Sequence, residues 1–593
     1  MRVSSWLRPL AARLTRTRTR PRRAPHRPAF RPRIEGLEDR TTPSGGLLDP
    51  TFGSGGAAIN NFGSYQQTLT DVVVLPDGKL LTAGYMTPSQ GPTSVNEFAA
   101  ARYNADGTFD TSFGSGGLAT VSFNGGGDQA WAAAVQPGSE GKILLAGTAN
   151  VNKFGVVRLN ANGTLDTTFG GKRSGGKVTA SPGARNANYA YSMAVLPDGS
   201  GKFVLAGLTM NLGSNSSGSI SLARFNADGT LDTTFGNNGT AVSTVSVQWT
   251  ASRFRHTINV AVDASGRIVV AGTSPGPYTS NHFLVARFNS NGSLDTTFGA
   301  AGNGVVTTDA SGPGGRDYAY SLTLQGDGKI LEGGSAIPAN QNSGFVTLAR
   351  YNPDGTLDTT FNGNGIARAA AELNYVSGAG ADALVVQPDG KIVTAGQGSY
   401  IATRPDGSTY QSSNMVLEMR FNPDGSRDSS YGPSGTGAVM TSLGFNATVS
   451  AMALQPDGRT VVAGEMNTDQ SIGPYLEYFA LVRFTASAAA ASPVQVGSFT
   501  ASATTVAVGS PVTLTAGGIT TTNAGATITQ VAFYSVDSFG TEQLLGYGTA
   551  NANGTWTLTF TVNLAPGSYT LLALAVDSTG AVSDPFALSL NVV

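Results

Sequence analysis

The stretch FVTLARYNPDGTLDTTF (345–361) decides the fold because it recurs, for example as ISLARFNADGTLDTTFG at 220–236. Its arginine stands at Arg102, Arg158, Arg224, Arg287, Arg350, Arg420 and Arg483. The aspartate of its LDxxF element stands at Asp49, Asp110, Asp166, Asp232, Asp295, Asp358 and Asp428. Successive arginines are 56 to 70 residues apart. A strand-like repeat of that length marks an array in which no unit buries its own faces alone.

Inside one copy the apolar pattern has period two, interrupted by turn chemistry. YSLTL (320–324) reads as a strand, QGDG (325–328) as a tight turn and KILEGG (329–334) as the hairpin partner. After a variable loop come FVTLARYN (345–352), the turn NPDGT (352–356) and a shorter fourth strand, such as VVTTD (305–309) in the preceding copy. Asn-Gly or Asp-Gly between alternating segments is the strongest local hairpin signal. Four antiparallel strands, repeated seven times, predict an all-β chain whose residues 46–485 form a seven-bladed β-propeller, with only short edges exposed. The phase of the repeat predicts closure. The chain enters at LLDPTFGSGGAAI (47–59), a fourth-strand element, and leaves at FALVRFT (479–485), a third-strand element. Pairing these two ends satisfies both edges.

QPDGKIVTAG (387–396) and FNPDGSRDSSYG (421–432), with the lines quoted above, closely resemble the delta-60 repeat family of bacterial β-propellers over Leu47 to Thr485. The resemblance implies the fold and no particular activity. Three copies depart locally: PGSEGK (137–142), DASGR (263–267), and Glu332 at a position otherwise apolar or Thr.

A small-residue linker, ASAAAASP (486–493), leads to residues 494–593, whose short alternating strands predict a β-sandwich. VAFYSVD (531–537), GTWTLTF (554–560) and APGSYTLLALAVDSTG (565–580) are similar to bacterial Ig-like domains, which implies a spacer or adhesion module in an extracellular setting. Trp556 and Tyr569 are expected in its core.

Residues 1–45 differ in kind. Residues 1–40 hold twelve arginines against Glu35, Glu38 and Asp39, which leaves the rest of a chain of net charge −1 mildly acidic. An Arg/Pro-rich segment buries almost nothing, so disorder is its physical default, and it lacks the apolar stretch of a secretory signal. IEGLEDRTTPS (34–44) resembles the LExRxxPS-type motif near the start of planctomycete extracellular proteins, through Leu37, Glu38, Arg40, Pro43 and Ser44. That resemblance implies export to the cell surface or beyond. The mildly acidic body argues against nucleic acid as a partner. No run of about 18 apolar residues offers a transmembrane segment. Cysteine is absent, so disulfides and thiolate metal sites are excluded.

The repeated Arg and Asp are read as structural pairs, Arg102–Asp110 through Arg420–Asp428 with Arg483–Asp49 closing the series, because a residue present in every copy serves the copy. The NxDGTxD oxygens (Asn104, Asp106, Thr108 and Asp110; Asn352, Asp354, Thr356 and Asp358) loosely resemble a calcium loop. They lack its opening Asp and closing Glu, and Asx-turn chemistry explains them, so no cofactor is expected. No GxSxG, HExxH or P-loop motif appears, and His256 and His282 read as isolated loop histidines.

Connections after the second strand (85–97, 208–219, 397–414) and before each first strand vary, and an up-and-down blade places both at one end. Variable loops on a rigid scaffold are where recognition lives. That face is expected to gather Trp131, Tyr189, Tyr191, Arg255, His256, Arg316, Tyr318 and Tyr320 around the mouth of the central channel. The sequence thus predicts a monomeric, non-enzymatic binding propeller for an extracellular glycan, peptide or protein. Packing of these aromatics between blades, a polysaccharide-active propeller enzyme and a surface-layer component are its alternatives.

Overall fold

The computed structural model describes residues 45–593 apart from the connections 63–65, 88–94, 124–125, 184–186, 211–216, 250–255, 276–280, 342, 370–378, 400, 404–408, 412–414, 433–435, 444–445, 468–476, 487–492, 538–540 and 584. The IEGLEDRTTPS motif and Arg255 lie outside the described residues. The chain is all-β, with no helix among the described residues. Each repeat folds as a four-stranded antiparallel meander, as in Arg316–Leu324, Ile330–Ile337, Phe345–Tyr351 and Ile366–Ala369. Seven such sheets follow one another, counted here from blade one (Gln66–Val121), and the first strand of each packs on the first strands of its neighbours. The cycle closes where Gln66–Val74 meets Asn446–Leu454. The seventh sheet takes its outer strand, Ala57–Asn60, from the other end of the repeat region, with Ala57 opposite Val482.

Hydrophobic cores lie between sheets. One holds Leu331, Leu348 and Phe361 of blade five with Ile392, Leu417 and Met419 of blade six. No sheet could keep such residues dry alone, so packing enforces the ring.

One arginine per blade fastens this packing. Arg350 Nε donates to Asp358 Oδ2 at 2.8 Å, its Nη2 to Thr360 Oγ1 at 3.3 Å, and its Nη1 to the Pro423 carbonyl of the next blade at 2.5 Å. Its guanidinium carbon lies 4.4 Å from the centre of the Phe361 ring. The Asp358 Oδ1 accepts from Thr360 N and Oγ1, and Lys329 approaches Oδ2 at 3.3 Å. The same Nε–Oδ2 contact, at 2.7 to 2.9 Å, recurs in the other six pairs, including Arg483–Asp49. Desolvation raises the Asp358 carboxyl, but Thr360, Arg350 and Lys329 outweigh it and hold it down at about 2. The turn glycine is equally constrained. Gly355 has φ +90°, and a Cβ there would sit 2.8 Å from the Phe298 ring of the preceding blade. In NPDGT the Asp354 Oδ1 accepts from Thr356 N and Oγ1, and Asn352 Nδ2 donates to Thr356 Oγ1.

Residues 494–593 form two packed sheets around Val512, Leu514, Phe533 and Leu571, with Trp556 and Tyr569 only partly buried at the margin. One of these sheets continues blade six: Ala438–Thr441 pairs in parallel with Thr541–Tyr547. Tyr547 Oη accepts from Gly55 N at 2.6 Å, and Arg459 donates to the Gly580 carbonyl. Glu418, on the third strand of blade six, is fully buried and receives hydrogen bonds from Tyr431 Oη and, at 2.6 Å, from Thr460 Oγ1. Burial pushes its carboxyl up to about 7 against these donors and Arg420.

Two outcomes are expected. Arg350→Ala lowers stability by about 3–5 kcal/mol in denaturant unfolding, because it leaves Asp358 buried without its partner. Glu418 holds its proton in the folded chain, so it opposes folding increasingly as pH rises from its ordinary 4.5 through about 7. Glu418→Gln therefore flattens the fall in unfolding free energy across that window, by on the order of 3 kcal/mol at its upper end, as denaturant unfolding at each pH would read.

Candidate functional site

Construction of the site begins with a backbone irregularity. The first strands carry a β-bulge at Thr70, Trp131, Tyr191, Tyr320 and Ser450, where one residue lacks an opposite partner on the second strand. The bulge lies beside a glycine of the second strand: a Cβ on Gly207 would lie 1.9 Å from the Tyr189 carbonyl. A bulge turns its side chain out of the regular alternation. Thr70 shows the consequence, since its Oγ1 donates to Ala83 O on its own blade and to Ala130 O on the next. Trp131, Tyr191 and Tyr320 occupy this same position and are all buried.

The structure divides the predicted residues into two groups. Trp131 packs edge-on against Tyr191 at 5.4 Å and against His256 at 5.6 Å, with Tyr85 behind it at 6.2 Å. Tyr191 Oη accepts from Trp249 Nε1 at 2.8 Å, and Trp249 in turn stacks on Tyr189 at 6.3 Å and 23°. Tyr189 and Trp249 are half-buried, so this pair presents ring surface above a buried aromatic floor. The second group belongs to blade five: Tyr318 and Tyr320 stack with parallel rings 6.4 Å apart, and half-buried Arg316 opens their strand. The Asn259 side chain reaches from blade four to the Tyr320 carbonyl at 2.9 Å.

Trp249 is the residue that repeat reasoning missed. Fourth strands in the other blades have four residues, whereas Thr240–Gln248 has nine and carries the chain up to Trp249. The unusually long alternation TAVSTVSVQ was its signal.

His256 is not an isolated loop histidine. Its Nδ1 lies 2.8 Å from the Tyr191 carbonyl of blade three and its Nε2 3.1 Å from the Thr70 carbonyl of blade one. Carbonyl oxygens only accept, so both contacts are hydrogen bonds when both ring nitrogens carry protons. Asp71, next to Thr70, accepts from Val72 N and from Ala133 N of blade two, both at 2.8 Å. Desolvation raises its carboxyl to about 6, while the Ala133 N–H, the His256 ring and the Val72 N–H restrain the rise. Further along the channel wall, Ser192 Oγ accepts from Val260 N and Ser321 Oγ donates to Ala381 O. The wall's polar groups thus join neighbouring blades.

The family model of a β-propeller domain of unknown function, DUF5122, matches residues 75–113, 139–169, 199–235, 264–298 and 325–361. No curated protein matches the chain. Among solved structures, the BP39L lectin from Burkholderia pseudomallei is 10% identical, covering 70% of this chain and 98% of its own, with a TM-score of 0.29. An endo-arabinase from Bacteroides thetaiotaomicron is 10% identical, covering 51% and 94%, with a TM-score of 0.26. PorZ, a surface component of the type-IX secretion system of Porphyromonas gingivalis, is 11% identical, covering 88% and 81%, with a TM-score of 0.22. Likeness at this level leaves function to the site itself.

Replacing His256 by Gln removes the ring that restrains the rise of Asp71, and the carboxyl then titrates above about 6, as side-chain carboxyl NMR would read. Asp71 is fully accommodated below about pH 4, and its contribution is lost as pH rises through about 6. In the variant that loss extends to higher pH.

Proposed function

We propose that this chain is an extracellular, non-enzymatic binding propeller that recognises a carbohydrate or peptide surface on the face bearing its variable connections. The observation that carries the reading is the Tyr189–Trp249 stack, half-buried and held from below by the hydrogen bond to Tyr191. Flat aromatic faces with a fixed orientation suit the apolar face of a sugar ring or a peptide side chain, and little entropy is lost on binding. Neither residue belongs to the repeated set. Arg316 and Tyr318 on blade five extend the same type of surface, with a cation for an anionic or hydroxyl-rich partner.

Extracellular placement rests on the resemblance of IEGLEDRTTPS to an export-associated motif. No helix among the described residues is long and apolar enough to cross a membrane. The C-terminal sandwich, read as an Ig-like module, acts as a spacer that is joined to blade six through a shared sheet. The protein works as a monomer in this reading.

A glycan and peptide array probed with the full chain, with Trp249→Ala and with Tyr189→Ala tests the proposal. Retained ligands should weaken roughly tenfold or more in both variants, matching loss of about 1.5 kcal/mol of aromatic contact, with melting temperature little changed. Unchanged binding in both variants would remove the stack from the site.

A further inference from the structure

At the junction of blades four and five, three connections bring His282, Asp309 and Asp317 together. His282 immediately precedes the third strand of blade four (Phe283–Phe288), Asp309 follows its fourth strand (Val305–Thr308), and Asp317 is the second residue of the strand Arg316–Leu324. His282 Nδ1 lies 3.5 Å from Asp317 Oδ2 and 3.9 Å from Asp309 Oδ1. One nitrogen and two carboxylate oxygens thus fall within 4.8 Å of one another. We propose that these three side chains form a site for a divalent transition-metal cation of the zinc or manganese class.

Two buried atoms point to a missing ligand. Asp317 is fully buried, and its Oδ1 has no hydrogen-bond partner among the described residues. The buried Nδ1 of His282 also has none among the described residues, with Asp317 Oδ2 3.5 Å away. A solitary buried acceptor is costly and calls for an explanation such as an ion. Donor atoms about 2.0–2.2 Å from a central ion are separated by roughly 3–4 Å from each other, which is close to the spacing found here.

Comparison among blades shows that these residues depart from the local rule. The residue five before the repeated arginine is Glu97, Lys153, Ser219, Phe345, Met415 or Tyr478 in the other copies, and histidine only at 282. At the start of blade two, Asp128 stands where Asp317 stands in blade five. Both of its oxygens are satisfied by backbone, Oδ2 by Phe123 N at 2.7 Å and Oδ1 by Asn150 N at 2.9 Å. Asp317 keeps the first of these bonds, from Ala310 N to Oδ2 at 2.8 Å, and has lost the second. Asn188, the equivalent in blade three, accepts from Gly183 N and Thr209 Oγ1, both at 2.9 Å, and donates its amide to the Asn152 and Gly183 carbonyls.

The three ligands are individually tethered. Asp317 N donates to Asn281 O at 2.9 Å, His282 N to Ser274 Oγ at 3.0 Å, and Gly312 N to Asp309 Oδ1 at 2.8 Å. Such outer contacts orient ligands before an ion arrives. Side-chain exposure is 30% at His282 and 37% at Asp309 against none at Asp317, so the ion enters from solvent onto a buried floor. Imidazole with two carboxylates suits zinc or manganese and leaves positions for water, whereas calcium favours oxygen alone.

A protonated His282 facing Asp317 as an ion pair is the competing description, and titration of the full chain after chelator treatment separates the two. Calorimetry with zinc, manganese or calcium chloride should give one equivalent of zinc or manganese, a raised melting temperature, and affinity that falls as pH is lowered and the imidazole takes a proton. Asp309→Asn, at an exposed side chain that tolerates change, and His282→Gln should each weaken binding roughly tenfold or more. No stoichiometric binding, binding indifferent to both substitutions, or calcium binding as tight as zinc and manganese would each overturn the proposal.

Discussion

The ring depends on a charge that cannot stand alone. Arg420 is completely buried, and a guanidinium in that position is tolerable only because Asp428 meets it at 2.7 Å and Tyr431 lies beneath it. The same arrangement does more than neutralise a charge. Through Nη1, Arg158 reaches Ala227 and Arg350 reaches Pro423, each a backbone oxygen one blade ahead. The interaction therefore couples the fold of each sheet to the position of the next one. Arg483 applies it to Asp49, 434 residues away, and to the Ala105 carbonyl of blade one. Closure of the ring thus uses the same contact as its propagation.

Where that pattern fails, the C-terminal sandwich lies. Arg420 Nη1 is the one donor of this set left buried without a partner among the described residues. The reason is connectivity: after Phe484 the chain departs instead of making the repeated turn, and the backbone N–H of Gly432 is met by Gly45 from the other end. The outer strand of blade six, Ala438–Thr441, would also present an open edge there. Thr541–Tyr547 covers it, and one core joins Tyr431, Val449 and Phe484 of the ring to Tyr534 and Leu572 of the sandwich. A domain that reads from sequence as a detached spacer is packed on the least regular part of the ring.

Strands, turns and the meeting of the chain ends were legible because they rest on local rules: period-two alternation, Asp-Gly turns and the phase of the repeat. The bulge was not, since an extra residue in a strand leaves the alternation around Trp131, Tyr191 and Tyr320 looking ordinary. Its effect is to bury these rings in the wall instead of leaving them at the channel mouth, while Tyr189, Tyr318 and Arg316 stay partly open. Trp249 escaped because it lies beyond a strand that is lengthened in a single blade. His256 and His282 looked alike as loop residues. Only the fold shows that one spans from blade three to blade one and the other faces two carboxylates.

His256 shows how bulged strands are joined across such a ring. Thr70 and Tyr191 are the bulge residues of blades one and three, and each offers its carbonyl to one side chain. His256 takes both, beneath it Asp71 takes the N–H of Ala133, and Asn259 takes the Tyr320 carbonyl. Each of these bonds ties one blade to another, as the repeated arginines do. Difference between copies is concentrated in Trp249, which follows a strand lengthened in a single blade, whereas Tyr189 has its counterpart at the same register position in Tyr318.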